Sequence, residues 1–162
     1  MSVNEVSTSP AADDGVLKLP GCGESLGAIG LGIMLRLTGD DTKGAYSLFE
    51  YIVPPKLGGP PTHIHAHQDE LFTCTSGRVV VELDGVERTM TPGSSMLLPR
   101  GVPHMFYNPF EEETRIIAAV SPPGLEKYYQ ELSELPPGPR DMNMIAEIMK
   151  RHGLRLAPRP GA

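Results

Sequence analysis

Short runs with the hydrophobic pattern of β-strands follow one another between residues 16 and 120, and glycine, proline or aspartate separates them. Asp84-Gly85 lies between two of these runs and predicts a two-residue hairpin, because both residues tolerate positive φ. Many short strands without an intervening helix favour an antiparallel sandwich or a small barrel. The runs predict strands near 31–37, 44–53, 70–75, 78–83, 86–90, 94–98, 104–108 and 114–121.

The pattern changes after residue 121, where apolar and aromatic residues recur at helical spacing. A first amphipathic helix is predicted to end before the prolines at 136–139 and to carry Leu125, Tyr128, Tyr129, Leu132 and Leu135. A second helix is predicted to begin at an Asp141 cap, to end at Gly153 and to bury Met142, Ile145, Ile148 and Met149. The tyrosine and methionine stripes could form a binding face, but packing against the barrel is the favoured interpretation.

The chain of 162 residues suits one domain with a sizeable core. The predicted fold class is all-β with C-terminal helices. We expect a flexible tail at 1–14, the β-barrel at 15–121, a helical appendage at 122–156 and a second flexible tail at 157–162.

Charge and composition exclude several partners. The net charge of -6 and the lack of any basic run argue against nucleic acid or an anionic membrane as a partner. No apolar run approaches the length of a transmembrane span and the first residues show no signal-peptide pattern, so the expected location is the cytoplasm. Cys22 and Cys74 are the only cysteines and are expected to be reduced, buried thiols.

Three histidines and one glutamate stand at spacings that strands and turns can bring together. His63 and His65 are two residues apart, so an extended strand projects both from the same face. Glu70 has the opposite parity and requires the turn at 66–69 before the next strand, while His104 follows a proline-flanked turn. Imidazole and carboxylate suit borderline first-row metals. Three nitrogens and one oxygen would leave coordination positions open, as catalytic metal sites do.

Each histidine could instead be a satisfied core residue, but the matched spacing of all four residues favours metal binding. His67 is interpreted as a rim residue, although a shifted register with His65 and His67 as the ligand pair stays open. Gln68 and Asp69 are expected to be solvated turn residues, with Asp69 able to orient a histidine as an alternative. Arg100 is expected in solvent, or else in contact with an anionic substrate.

Strand parity also indicates which apolar side chains lie near these four residues. Phe72 and Cys74 share the face of Glu70, and Phe106 shares the face of His104. These three residues are therefore the candidates for lining a cavity above the metal. Ordinary barrel core is the alternative for each of them.

The same segments resemble the two sequence motifs of the cupin superfamily. The second motif, G-x5-P-x-G-x2-H-x3-N, matches at Gly93, Pro99, Gly101, His104 and Asn108. The first, G-x5-H-x-H-x4-E-x6-G, has its leading glycine displaced by one, to Gly58 beside Gly59, and matches at His63, His65, Glu70 and Gly77. The segment at 39–50 and the terminal helix pair are also similar to small bacterial cupins of the quercetin-dioxygenase-like type.

This resemblance implies an antiparallel double-stranded β-helix, also called a jelly roll or cupin barrel. It implies that His63, His65, Glu70 and His104 hold one divalent transition metal ion, which would be Fe, Mn, Ni, Co, Cu or Zn. It further implies a small-molecule substrate and a homodimer.

The leading hypothesis for function is a metal-dependent oxygenase of the quercetin-dioxygenase-like type that acts on a small phenolic or enolic compound. In this hypothesis Glu70 accepts the substrate proton. The first alternative is a non-oxidative metal-dependent cupin, such as an isomerase, cyclase or decarboxylase, because these use the same ligands. The second alternative, a non-catalytic small-molecule binder, is disfavoured because a binder does not need four metal ligands.

Overall fold

The computed structural model describes residues 15–136, 138–139 and 141–158 of the chain. The predicted tail at 1–14 and residues 159–162 of the second predicted tail lie outside this range. In order along the described chain, the elements are β1 Glu24–Ser25, β2 Gly32–Leu37, β3 Ser47–Val53, β4 His63–His65, β5 Asp69–Ser76, β6 Val79–Leu83, β7 Val86–Met90, β8 Ser95–Leu98, β9 His104–Tyr107, β10 Thr114–Ser121, α1 Leu125–Ser133, α2 Met142–Arg151 and β11 Leu154–Leu156.

The strands form two antiparallel sheets. One has the order β1-β2-β3-β10-β5-β8 and the other the order β11-β4-β9-β6-β7. In β3 and β10 every second residue is buried, so each strand presents one face to the interior. The buried residues of both sheets and both helices form one hydrophobic core. This arrangement confirms the prediction of an antiparallel jelly-roll barrel with C-terminal helices.

Local turn chemistry follows the sequence closely. The hairpin between β6 and β7 turns at Asp84 and Gly85, whose φ angles are 50° and 78°. Both values lie in the left-handed region, as the Asp-Gly pair predicts. The expectation of buried thiols is confirmed for Cys74 and is wrong for Cys22, which is exposed in the segment before β1.

The two helices begin and end close to their predicted bounds. Asp141 caps α2, and its side chain accepts hydrogen bonds from the backbone N–H groups of Asn143 and Met144. Ile145, Ile148 and Met149 are buried as predicted. Met142 is 48% exposed, so the prediction of its burial is wrong: the first turn of α2 extends past the edge of the core. Neither helix in the described residues is long and apolar enough to span a membrane.

The chain returns to the barrel after α2, which the sequence did not predict. It turns at Gly153, whose φ is 73°, and then forms β11. β11 pairs with β4, so that Leu154 lies opposite His65 and Leu156 opposite His63. Three residues are too few to show a strand pattern. The sequence therefore predicts that this segment is the end of the helical appendage at 122–156. Because of β11, the strand that carries His63 and His65 has a hydrogen-bonded neighbour on both sides.

Asn108 joins the end of β9 to the chain around β3 and β10. Its side chain is fully buried, and Nδ2 shares its two protons among the carbonyl oxygens of Val53, Pro54 and Glu112, at 3.2, 3.1 and 2.7 Å. Its Oδ1 accepts from the backbone N–H of Phe110 at 3.0 Å. The amide thus contacts four backbone groups and anchors the strand that begins with His104.

We expect Asn108→Ala to lower the free energy of unfolding by about 3 kcal/mol, because it leaves several buried backbone groups without partners. Urea denaturation followed by circular dichroism measures this change. Asn143→Ala is the matched control, since Asn143 is exposed on α2 and should change the midpoint little. Equal midpoints for the two variants would contradict the bridging role of Asn108.

Candidate metal centre

The structure brings together the four residues that the sequence singled out as metal ligands. His63 and His65 lie on β4, His104 begins β9 and Glu70 lies near the start of β5. One ligand atom from each of the four lies within 4.8 Å of all the others, and all four residues are buried. His63 and His104 are directly opposite each other in the β4–β9 pair. Glu70 comes from the other sheet, so the cluster joins the two sheets.

Backbone carbonyls orient two of the imidazole rings. Nδ1 of His63 lies 2.8 Å from the carbonyl oxygen of Pro61, and Nδ1 of His104 lies 3.1 Å from that of Val102. Carbonyls only accept hydrogen bonds, so each Nδ1 carries a proton and donates it. This leaves Nε2 of both rings as the ligand atom, as a hydrogen bond from the other ring nitrogen does in metal-binding histidines.

Glu70 lies closest to His104 and His65. Its Oε2 is 3.1 Å from Nε2 of His104 and 3.6 Å from Nε2 of His65. Since Nδ1 of His104 already donates to Val102, a hydrogen bond from Nε2 to Glu70 requires a fully protonated ring. That proton lies between Nε2 of His104 and Oε2 of Glu70. A metal cation that binds both atoms takes its place.

The ionisation of the cluster follows from burial and mutual charge. Burial lowers the pKa of His63 to about 3, with His104 and His65 adding to the effect. Burial also lowers the pKa of His65. Burial opposes ionisation of Glu70, but the neighbouring His65, His104 and His63 outweigh it and hold the pKa of Glu70 at about 2. Burial likewise opposes the protonation of His104, yet Glu70 reverses this and raises its pKa.

The donor set therefore fits a metal ion. It offers neutral imidazoles at His63 and His65 and an ionised carboxylate at Glu70. The third imidazole, that of His104, loses a proton when a metal cation binds. Among the described residues, Nδ1 of His65 is buried and has no hydrogen-bond partner. The side chain of Gln68 favours the protonated form of His65 and so opposes the lowering of its pKa by burial.

An apolar cavity of about 150 Å³ opens on the cluster. His63, His65 and Glu70 supply its polar wall. The apolar walls come from the loops before β2 and β4, from β9 and from the C-terminal segment, and consist of Ile29, Leu31, Gly59, Pro60, Pro61, Phe106, Tyr128, Tyr129, Met142, Ile145, Met149 and Leu154. A mostly apolar cavity with a few convergent polar groups is typical of a small-molecule site.

The predicted lining residues divide into two groups. Phe106 lines the cavity, whereas Phe72 and Cys74 belong to the core and are not among its lining residues. Strand parity placed all three on inward faces but could not say which part of the interior each one meets. Half of the apolar wall comes instead from α1, α2 and β11. The helical spacing of Tyr128 and Tyr129 in the sequence indicated this contribution, because both residues belong to the core and also line the cavity.

The turn between β4 and β5 agrees with its expected character at His67 and differs from it at Gln68. His67 is exposed and lies outside the cluster. Gln68 is buried, where a solvated residue was expected, because its Nε2 donates to the carbonyl oxygen of Pro122 at 3.0 Å. Asp69 accepts from Arg100 rather than from a histidine, through contacts of 2.8 Å from the backbone N–H and of 3.1 and 2.9 Å from the guanidinium. Arg100 is thus partly solvated and paired with Asp69.

The displaced motif glycine has a structural explanation. A Cβ at Gly59 would overlap the carbonyl oxygen of Phe106, and φ at Gly59 is 74°. A Cβ at Gly58 would meet no atom within 4 Å. Gly59 is therefore the position that requires glycine, since it lets the chain before β4 approach β9 closely.

Comparison with protein families gives a match to the cupin domain over residues 49–120. This segment contains His63, His65, Glu70 and His104. It runs from β3 to β10 and so includes most of the barrel.

Two curated relatives match shorter segments. The chain is 38% identical over 69 residues to the protein named Oxidoreductase iacF of Pestalotiopsis fici, which covers 41% of this chain and 34% of the relative. It is 32% identical over 60 residues to Protein SchB of Streptomyces halstedii, which covers 37% of this chain and 44% of the relative. The matches thus span less than half the length of either relative.

Among solved structures, the chain is similar to a Cupin 2 conserved barrel domain protein from Salinispora arenicola, with a TM-score of 0.53 and 20% identity. The match covers 85% of this chain and 97% of that chain. A similarity at 20% identity shows a shared fold alone. Residues 49–120 of this chain thus match the cupin domain, and the chain shares its fold with a cupin barrel protein.

Proposed function

We propose that this protein is a metal-dependent oxygenase of the quercetin-dioxygenase-like type that acts on a small phenolic or enolic compound. The observation that carries the proposal is the buried cluster of three histidines and Glu70 at the wall of an apolar cavity. The match to a relative named as an oxidoreductase supports the oxidative form of the reaction.

In this proposal His63, His65, Glu70 and His104 hold one divalent transition metal ion, drawn from Fe, Mn, Ni, Co, Cu or Zn. When bound, such an ion acts as a Lewis acid that acidifies a substrate hydroxyl and favours its reaction with O₂. Glu70 is ionised and buried beside the cavity, so it is the group placed to accept the hydroxyl proton.

The walls of the cavity perform two further tasks. Leu31, Phe106 and Ile145 present no polar side-chain atoms, so they exclude water from a reactive enolate or phenolate. The volume of about 150 Å³ restricts the size of the substrate. A dry cavity of about 150 Å³ holds one benzene ring. The cavity therefore suits a compound with a single ring better than a flavonol with three rings.

We expect His104→Ala to lower metal affinity by more than roughly 100-fold, because it removes a direct ligand. Loss of a residue that only hydrogen-bonds to a ligand costs roughly 10- to 100-fold. His67→Ala is the matched control, since His67 is exposed two residues from His65 and outside the cluster. Elemental analysis after metal reconstitution measures bound metal, and urea unfolding checks that both variants stay folded. Full metal content in folded His104→Ala would refute this ligand assignment.

We expect the metal-loaded protein to consume O₂ with single-ring catechols or compact β-diketones and to show little uptake with flavonols, because only the smaller compounds fit the cavity. An oxygen electrode measures uptake, and mass spectrometry after reaction under ¹⁸O₂ should find both oxygen atoms in the product. His67→Ala should retain this activity and His104→Ala should lose it.

The outcome of that experiment also separates the alternative functions. A converted product without ¹⁸O would identify a non-oxidative isomerase, cyclase or decarboxylase that uses the same ligands. Binding of the compounds without any conversion, in a protein that takes up no metal, would identify a non-catalytic binder. Either result would contradict the proposed oxygenase.

A further inference from the structure

Two tyrosine hydroxyls meet beside the cavity. The hydroxyl oxygen of Tyr51 on β3 lies 2.9 Å from that of Tyr129 on α1. Tyr51 is completely buried, while Tyr129 is one of the residues that line the cavity beside His63 and Glu70. Within the described part of the chain, each of these two hydroxyls hydrogen-bonds only to the other.

The direction of this hydrogen bond follows from counting protons. Each hydroxyl carries one proton, and a bond between two hydroxyls uses only one of the two. If Tyr129 were the donor, the proton of Tyr51 would have no acceptor, because Tyr51 is completely buried and its ring packs against Phe49, Phe72 and Phe106. An unpaired buried O–H group is unfavourable there. Tyr51 therefore donates to Tyr129, and the proton of Tyr129, a residue that lines the cavity, is left without an acceptor in the described residues.

The pair is held rigidly and stays neutral. The ring of Tyr129 packs edge-on against Phe49, with 5.5 Å between ring centroids, and against Tyr51 at 6.1 Å. Burial raises the pKa of both tyrosines well above 10, and the negative charge of Glu70 raises both further. Tyr129 is thus a preorganised hydrogen-bond donor and not a base.

We propose that Tyr129 donates a hydrogen bond to an oxygen of the substrate and that Tyr51 is the positioning residue behind it. This inference rests on the proposed function. In the described residues the hydroxyl of Tyr129 hydrogen-bonds to Tyr51 and to none of the four side chains of the cluster. Tyr129 consequently meets a second oxygen of the substrate, distinct from the one that meets the cluster.

This placement narrows the substrate class. Both contacts must fall on one molecule that fits a cavity of about 150 Å³. A small phenol or enol that carries a second oxygen meets both requirements. Catechol has two such oxygens on a single ring, whereas phenol has only one, so the two compounds differ in the group that Tyr129 recognises.

Isothermal titration of the Zn²⁺-loaded protein with catechol and with phenol tests the proposal, since zinc has no redox chemistry that would consume the ligand. We expect the parent protein to bind catechol more tightly than phenol. Tyr129→Phe should weaken catechol binding by roughly 2- to 10-fold, the effect of one hydrogen bond between neutral groups. It should leave phenol binding close to that of the parent.

Two further variants separate positioning from general packing. Tyr51→Phe should weaken catechol binding less than Tyr129→Phe does, and it too should spare phenol. The double variant should resemble Tyr129→Phe alone, because Tyr51 acts through Tyr129. Tyr128→Phe removes the hydroxyl of the adjacent wall residue outside the pair, and it should weaken catechol binding less than Tyr129→Phe does.

Equal losses for catechol and phenol in Tyr129→Phe would overturn the proposal, as would equal affinities of the parent for the two compounds. Zinc content, measured for every variant, separates the two levels of failure. If the parent binds zinc and both compounds but Tyr129→Phe changes neither affinity, only this inference fails. If the parent takes up no zinc, the proposed function fails and this inference fails with it.

Discussion

The attraction between the ionised carboxylate of Glu70 and the imidazoles around it is the interaction on which this site depends. Glu70 is only 3% exposed, and burial alone would favour its neutral form. The contacts of Oε2 with Nε2 of His104 and His65 reverse this preference. The barrel thus keeps a negative charge and several nitrogen donors inside an apolar interior. Removing one partner would leave a buried charge without compensation, and such a change is costly.

The two-sheet architecture makes this convergence possible. His63, His65 and His104 come from neighbouring strands of one sheet, and Glu70 comes from the facing sheet. The carbonyl groups that orient His63 and His104 belong to residues two positions earlier in the chain, Pro61 and Val102. Ring orientation is therefore set by local backbone, while the distance between donor atoms is set by the packing of the sheets. Rigid strands hold both quantities more closely than loops would.

The C-terminal segment completes the site that the barrel begins. β11 adds a strand beside β4, and α1 and α2 form much of the apolar wall of the cavity. Tyr129 shows how one stripe can serve two purposes. Its ring packs against Phe49 in the core, its hydroxyl pairs with that of Tyr51, and the residue also lines the cavity. The interior of a barrel of this size has a small volume, so several side chains belong to the core and also line the cavity.

Local sequence chemistry determined much of this protein. The Asp84-Gly85 hairpin, the Asp141 cap and the strand bounds at 86–90 and 114–121 agree with the structure, because φ preference, capping and hydrophobic period act over a few residues. The set of four candidate ligands also followed from spacing, since strand parity and the intervening turns decide which side chains can converge.

Only the tertiary structure decided how the surroundings of those four residues are built. The burial of Gln68 against Pro122, the pairing of Asp69 with Arg100 and the strand β11 all join segments that are distant in the chain. Strand parity specifies which face a side chain occupies but not its height in the barrel, so Phe72 and Cys74 could not be separated from Phe106 beforehand. The docking of the last thirty or so residues, which depends on the complementary shape of two finished surfaces, was beyond any local pattern.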